Sequence, residues 1–85
     1  MTNKVKFHEY LDAKGLNCPL PILKTKVILN KMKPNKILFV EATDPHSKVD
    51  FEAFCARTNH KIIEFYLTEN IYNFYIKRVE KPNKI

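Results

Sequence analysis

Gly15-Leu16-Asn17-Cys18-Pro19-Leu20-Pro21 separates two hydrophobic periods, and the fold follows from reading it as the turn that ends a strand and starts a helix. Upstream, the short apolar and aromatic run Phe7 to Leu11 stops at Asp12 and Gly15, which predicts a first strand. Downstream, Pro21, Thr25, Ile28 and Met32 recur at helical spacing with Ile22 and Leu29 beside them, which predicts a helix over Pro19 to Met32 with that stripe buried. Proline is tolerated in the first helical turn, where its missing N–H has no partner to lose, and it stops a helix from arriving from the left. Cys18 is therefore expected at a helix N-terminus. Free backbone N–H groups and the positive end of the helix dipole favour an anion there, and such sites bring a thiol from about 8.5 down to roughly 3.5–7.5. The turn thus predicts a reactive thiolate.

Outward from that helix, Pro34-Asn35 ends it and Ile37 to Ala42 reads as a second strand, with Leu38, Val40 and Ala42 facing the core. Strand, helix and strand of these lengths make a right-handed parallel crossover. Asp44-Pro45 marks a second helix start, with Asp44 as candidate N-cap and Ser47 with Asp50 as a second capping option. That helix runs to about Arg57, places Phe51, Phe54 and Cys55 on one face, and ends at Thr58-Asn59-His60. A hairpin follows: Lys61 to Leu67, a turn at Thr68-Glu69-Asn70, then Ile71 to Arg78. Alternation puts Ile63, Phe65 and Leu67 on one side of the first arm, and Tyr72, Phe74 and Ile76 on one side of the second. The expected fold is α/β: a two-layer βαβαββ sandwich, with a mixed four-stranded sheet and two helices on one face. Residues 1–85 form one domain with a core of about 7–78 and frayed termini, Lys81 to Ile85 among them.

Composition agrees with a small globular chain. Its 85 residues are 45% apolar, with six Phe, four Tyr and a single Gly, and a chain of this length buries about 60% of its unfolded surface. Met1 to Tyr10 has no apolar leader core and no long apolar run occurs elsewhere, so the expectation is a cytoplasmic protein without membrane span. The net charge of +6 is concentrated. Residues 1–36 carry eight lysines against Glu9 and Asp12, while the remainder holds seven basic and seven acidic side chains. The excess surrounds the cysteine turn and points to an acidic partner. Lys24, Lys26 and Lys31, interleaved with Leu20, Leu23 and Val27, are the candidate docking patch beyond Pro19 and Pro21.

Several chemistries find no support. His8, His46 and His60 are not spaced with the cysteines as zinc ligands are, and the lone Gly15 excludes a glycine-rich phosphate loop, so no metal or cofactor is expected. Only Phe7 and Tyr10 among the aromatics lie in the basic segment, which speaks against direct nucleic-acid binding by base stacking. Cys55, beside Phe51 and Phe54, reads as a buried and unreactive thiol. Two other classes stay open: a non-catalytic basic interaction or RNA-binding module whose cysteine is incidental, and a small thiol oxidoreductase using Cys18 and Cys55. The second requires their α-carbons within about 7 Å, and no C-x-x-C supports it.

Leu11-Asp12-Ala13-Lys14-Gly15-Leu16-Asn17-Cys18-Pro19-Leu20-Pro21 resembles the signature of the TusA/SirA family of small sulfur-carrier proteins, Cys-Pro-x-Pro after a Leu-Asp-x-x-Gly-Leu lead. The resemblance continues through Asp44-Pro45, Asp50, Phe54-Cys55 and His60, spanning roughly residues 10–78. It implies a protein sulfurtransferase in which Cys18 takes sulfane sulfur as a persulfide, from a cysteine desulfurase or another donor protein. The sulfur then passes to a downstream acceptor protein, and in one branch ends in the 2-thiouridine of transfer RNA. Leu20 stands where the transfer-RNA branch usually has Glu, and Val27 where a basic residue is common. Lys26 matches a basic position associated with the desulfurase contact.

Overall fold

The computed structural model describes residues 5–83. Its elements are β1 (Glu9–Ala13), α1 (Leu20–Lys31), β2 (Ile37–Ala42), α2 (Ser47–Thr58), β3 (Lys61–Thr68) and β4 (Ile71–Lys77). They form one sheet in the order β1-β2-β4-β3. β1 and β2 run parallel, as a helical crossover requires, and β4 is antiparallel to both β2 and β3. Both helices pack on the same face, so the expected two-layer architecture is the observed one.

The core lies between the layers. Leu38, Val40 and Ala42 of β2 are fully buried, as their alternation predicted, and meet Phe74 and Ile76 of β4 with Leu29 of α1 and Phe51, Phe54 and Cys55 of α2. The Phe51 and Phe74 rings stack at 4.4 Å, and burying each contributes about 1.5–3 kcal/mol relative to exposure. The outer face carries its own aromatic cover. Phe39 and Tyr75 pair across β2 and β4 with rings 4.4 Å apart, flanked by Phe7 and Tyr10.

Four local readings change. The first strand is Glu9–Ala13, not Phe7 to Leu11. At its start the His8 ring Nδ1 accepts the Ile37 N–H at 3.0 Å, while Phe7 lies on the outer face against Phe39 and not in the core. On α1 the fully buried line is Pro21, Thr25 and Leu29; Ile22, Ile28 and Met32 flank it, half-buried. α2 begins at Ser47, after His46, and neither proposed side-chain cap is used.

The fourth change is in the hairpin. β3 carries a bulge between Ile62 and Glu64, so Ile62 pairs with Ile76 and packs inward while Ile63 turns out to solvent. One extra residue inverts the alternation on one side of it. Phe65 keeps its inward place against Phe74, and Leu67, at the far end of the strand, is exposed. The turn is Glu69-Asn70 alone, both with positive φ (51° and 64°), a geometry that matches the twist of the two arms. In the expected tail, the Asn83 N–H donates to the Thr58 carbonyl at 2.9 Å; Lys84 and Ile85, like the N-terminal end, lie outside the described residues.

Candidate functional site

Because β1 and β2 are parallel neighbours, the segments leaving them emerge side by side and brace each other. After β1, Gly15 adopts φ +82°, which a side chain would strain, and its N–H donates to Thr43 Oγ1 at 2.9 Å. Three residues later the Cys18 N–H donates to Asp44 Oδ2 at 2.7 Å. The other Asp44 oxygen accepts the His46 N–H at 2.9 Å and faces its ring Nδ1 at 3.3 Å. Asp44 is therefore not a helix cap; it ties the cysteine loop to the β2–α2 loop. These backbone donors, His46 first and then Cys18, hold its carboxyl below the usual range although the residue is buried.

Cys18 itself is exposed, joined to Pro19 by a cis peptide bond, and sits just ahead of α1, whose N-cap is Pro19. Its pocket, of about 240 Å³, lies between the two helices. Cys18, Pro19 and Ile22 form one wall; Asp50, Ala53, Phe54 and Arg57 of α2 form the other. This placement reverses the expected thiol chemistry. A hydrogen bond to the Asp50 carboxylate, then desolvation, then the charges of Asp50 and Asp44 hold the Cys18 thiol above its ordinary value. The sequence reading supplied lysines and a helix end; the fold supplies carboxylates instead. Among the described residues, none of the lysines up to Lys36 lines this pocket.

The residues proposed for docking separate into groups. Leu20, Leu23 and Val27 are all exposed, at 44%, 51% and 54%, an apolar strip on a helix that begins beside the cysteine. Leu23, Lys24 and Val27 line a shallow pocket of about 350 Å³ with Leu11 and Ile28. Lys26 faces the other way, lining a cleft with Asn30, Phe54 and His60. Lys31 lies at the far end of α1 against His8 and Lys36. Pro19 borders the thiol pocket, whereas Pro21 is buried. Asp44, Asp50 and Arg57 were not singled out as site residues from sequence. The pointer to them was their position: a carboxylate directly after a parallel strand, and two α2 residues on the face turned to α1.

Cys55 is the counterpart. It is buried in the core, and desolvation pushes its thiol up to about 12. Both cysteines are free. Among the described residues no three His, Cys, Asp or Glu side chains converge on a possible metal site, and no helix is long and apolar enough to cross a membrane.

The family model described as "Sulfurtransferase TusA" matches residues 9–78, which takes in the whole of this site. The chain belongs to the TusA sulfurtransferase family. It is 46% identical over 72 residues to "Sulfur carrier protein TusA" of Allochromatium vinosum, covering 85% of this chain and 95% of that one. It is 38% identical over 74 residues to "Putative sulfur carrier protein YrkI" of Bacillus subtilis, covering 87% and 99%. The crystal structure of a SirA-like protein from Desulfitobacterium hafniense superposes with a TM-score of 0.76 over 86% of this chain and all of that one; at 17% identity it shows the fold alone. The TusA family is one of sulfur carriers that relay persulfide sulfur, and this chain is a sulfurtransferase of that kind.

Proposed function

We propose that Cys18 is the residue that bears the sulfur. A cysteine desulfurase or another donor protein, docked on the Leu20, Leu23, Lys24 and Val27 face, loads it. The observation that carries this reading is the exposed Cys18, its N–H held by Asp44, beside an unburied apolar strip on the helix that follows it.

In loading, the Cys18 sulfur attacks the outer sulfur of the donor persulfide. A new S–S bond forms, the donor's own S–S bond breaks, and the electron pair leaves with the donor cysteine. No oxidant is consumed and no cofactor is required. In unloading, an acceptor cysteine attacks the outer sulfur in the same manner and Cys18 departs as the leaving group. Apolar anchors with lysines at their edge suit transient docking on acidic-rimmed partners.

Within the cytoplasm, the route we favour leads to the 2-thiouridine of transfer RNA. Phe54-Cys55 and His60 resemble that branch in sequence and support it, whereas Leu20 and Val27 depart from its usual pattern. Two measurements test the reading. Incubation with a cysteine desulfurase and cysteine should add one sulfur atom to the wild-type protein and none to Cys18→Ala, by mass spectrometry. Expression in cells lacking their own carrier should restore 2-thiouridine in total transfer RNA; restored sulfur loading without restored 2-thiouridine would keep the carrier chemistry and overturn the route.

A further inference from the structure

A sulfur carrier must hold its cargo among abundant small thiols until the right protein arrives, and the wall opposite Cys18 bears on that problem. Asp50 stands in the first turn of α2, half-buried, and lines the same pocket as Cys18, where its carboxylate is the largest influence raising the thiol. The charged groups that face the sulfur are few. From α2 there are Asp50 and Arg57, and from the β2–α2 loop there is Asp44, with the largely exposed His46 beyond it. From the cysteine's own loop and α1, Pro19 and Ile22 line the pocket and neither is charged.

We propose that the Asp50 carboxylate makes Cys18 a retentive carrier, slowing loss of its sulfane sulfur to small thiols and so reserving release for a docked acceptor protein. This rests on Cys18 as the sulfur-bearing residue. In release, a thiolate attacks the outer sulfur, the S–S bond to Cys18 breaks, and the electron pair returns to the Cys18 sulfur, which afterwards takes a proton from water. Negative charge therefore builds on that sulfur in the transition state, next to a carboxylate already charged. Like charges in one pocket oppose this, and a thiol that is harder to ionise leaves more slowly. A docked protein overcomes the barrier by holding its own attacking thiol in place at high effective concentration, which a freely diffusing thiol cannot do.

The test loads wild-type and Asp50→Asn protein from inorganic polysulfide, removes the excess, and follows loss of the added sulfur to 2-mercaptoethanol by intact mass. The attacking species is the anionic thiolate, so the alkylation profile, taken with the neutral reagent iodoacetamide, separates easier departure from Cys18 from weaker repulsion of the attacker. Asp50→Asn should lose sulfur at least about threefold faster, and its iodoacetamide alkylation profile should shift to lower pH. Asp50→Glu should restore retention. If Asp50→Asn does not fold, Asp50→Ser removes the same charge and carries the same expectation. Loss at the wild-type rate or slower in a folded, charge-free variant overturns the proposal while leaving the carrier reading in place. A wild-type protein that takes up no sulfur on Cys18 overturns both.

Discussion

Cys18 and Cys55 are both harder to ionise than a free cysteine, for opposite reasons. Cys55 is raised by burial among Phe51, Phe54 and the sheet, a cause that only unfolding removes. Cys18 is raised chiefly by a neighbouring carboxylate while remaining exposed, a cause that a partner, a proton or a single substitution can remove. The difference separates a structural thiol from one whose reactivity is held in reserve.

The largest effect expected is all or nothing. Cys18→Ser should abolish sulfur loading by mass spectrometry, whereas Cys55→Ser should load normally and lose roughly 1–3 kcal/mol of stability in a denaturant titration, from a hydroxyl placed in the core. Loading that fails in Cys55→Ser while the protein is still folded would revive a two-cysteine mechanism. Next in size is alkylation at pH 7. Cys55 should react on the order of a hundredfold or more slowly than Cys18, because it must wait for local opening. Cys18 should itself react more slowly than cysteine in a short peptide; a faster rate would restore the thiolate expected from the sequence.

A smaller change is expected on the docking face. Leu23→Lys or Val27→Glu should slow loading from a protein donor roughly tenfold and leave loading from inorganic polysulfide unchanged, since only the former uses the apolar anchors. Equal slowing in both assays would move the effect from docking to the thiol itself.

The smallest effect concerns pH. His60 packs beside Phe54, and burial, then the Arg78 charge, hold its pKa below the ordinary 6.5. The unfolded chain then binds the proton more readily, so stability should be full above about pH 6.5 and fall as acid protonates the unfolded state. Asp44 adds a second loss at lower pH. Its depressed carboxyl stabilises the fold above its ordinary 3.8, and that contribution disappears as pH falls through the folded value. Thermal melts across pH 3–8 measure both, and a curve flat between pH 5 and 7 would contradict the burial of His60.

Much of the fold was legible because its elements are short and strongly periodic. Leu38, Val40 and Ala42 alternate, the arms of the hairpin are rich in β-branched and aromatic residues, and the prolines around Cys18 mark the strand-to-helix turn. The β3 bulge was not legible, since strict alternation has no place for Ile63 as an additional residue. The site divides the same way. An exposed, constrained Cys18 could be read from Gly15, Pro19 and Pro21. Its electrostatics could not, because the decisive carboxylates arrive from far along the chain: Asp44, 26 residues on, and Asp50 beyond it. Counting lysines near Cys18 in sequence measured proximity along the chain, while the pocket is formed across the gap between two helices.

The bulge in β3 has a further bearing on a molecule of this kind. β3 and β1 are the two bare margins of the sheet, and a straight margin with free backbone donors and acceptors invites pairing with another chain. By bending β3 next to Lys61 and pointing Ile63 outward, the extra residue spoils that margin for a copy of itself. A bend of this kind disfavours strand pairing along that margin.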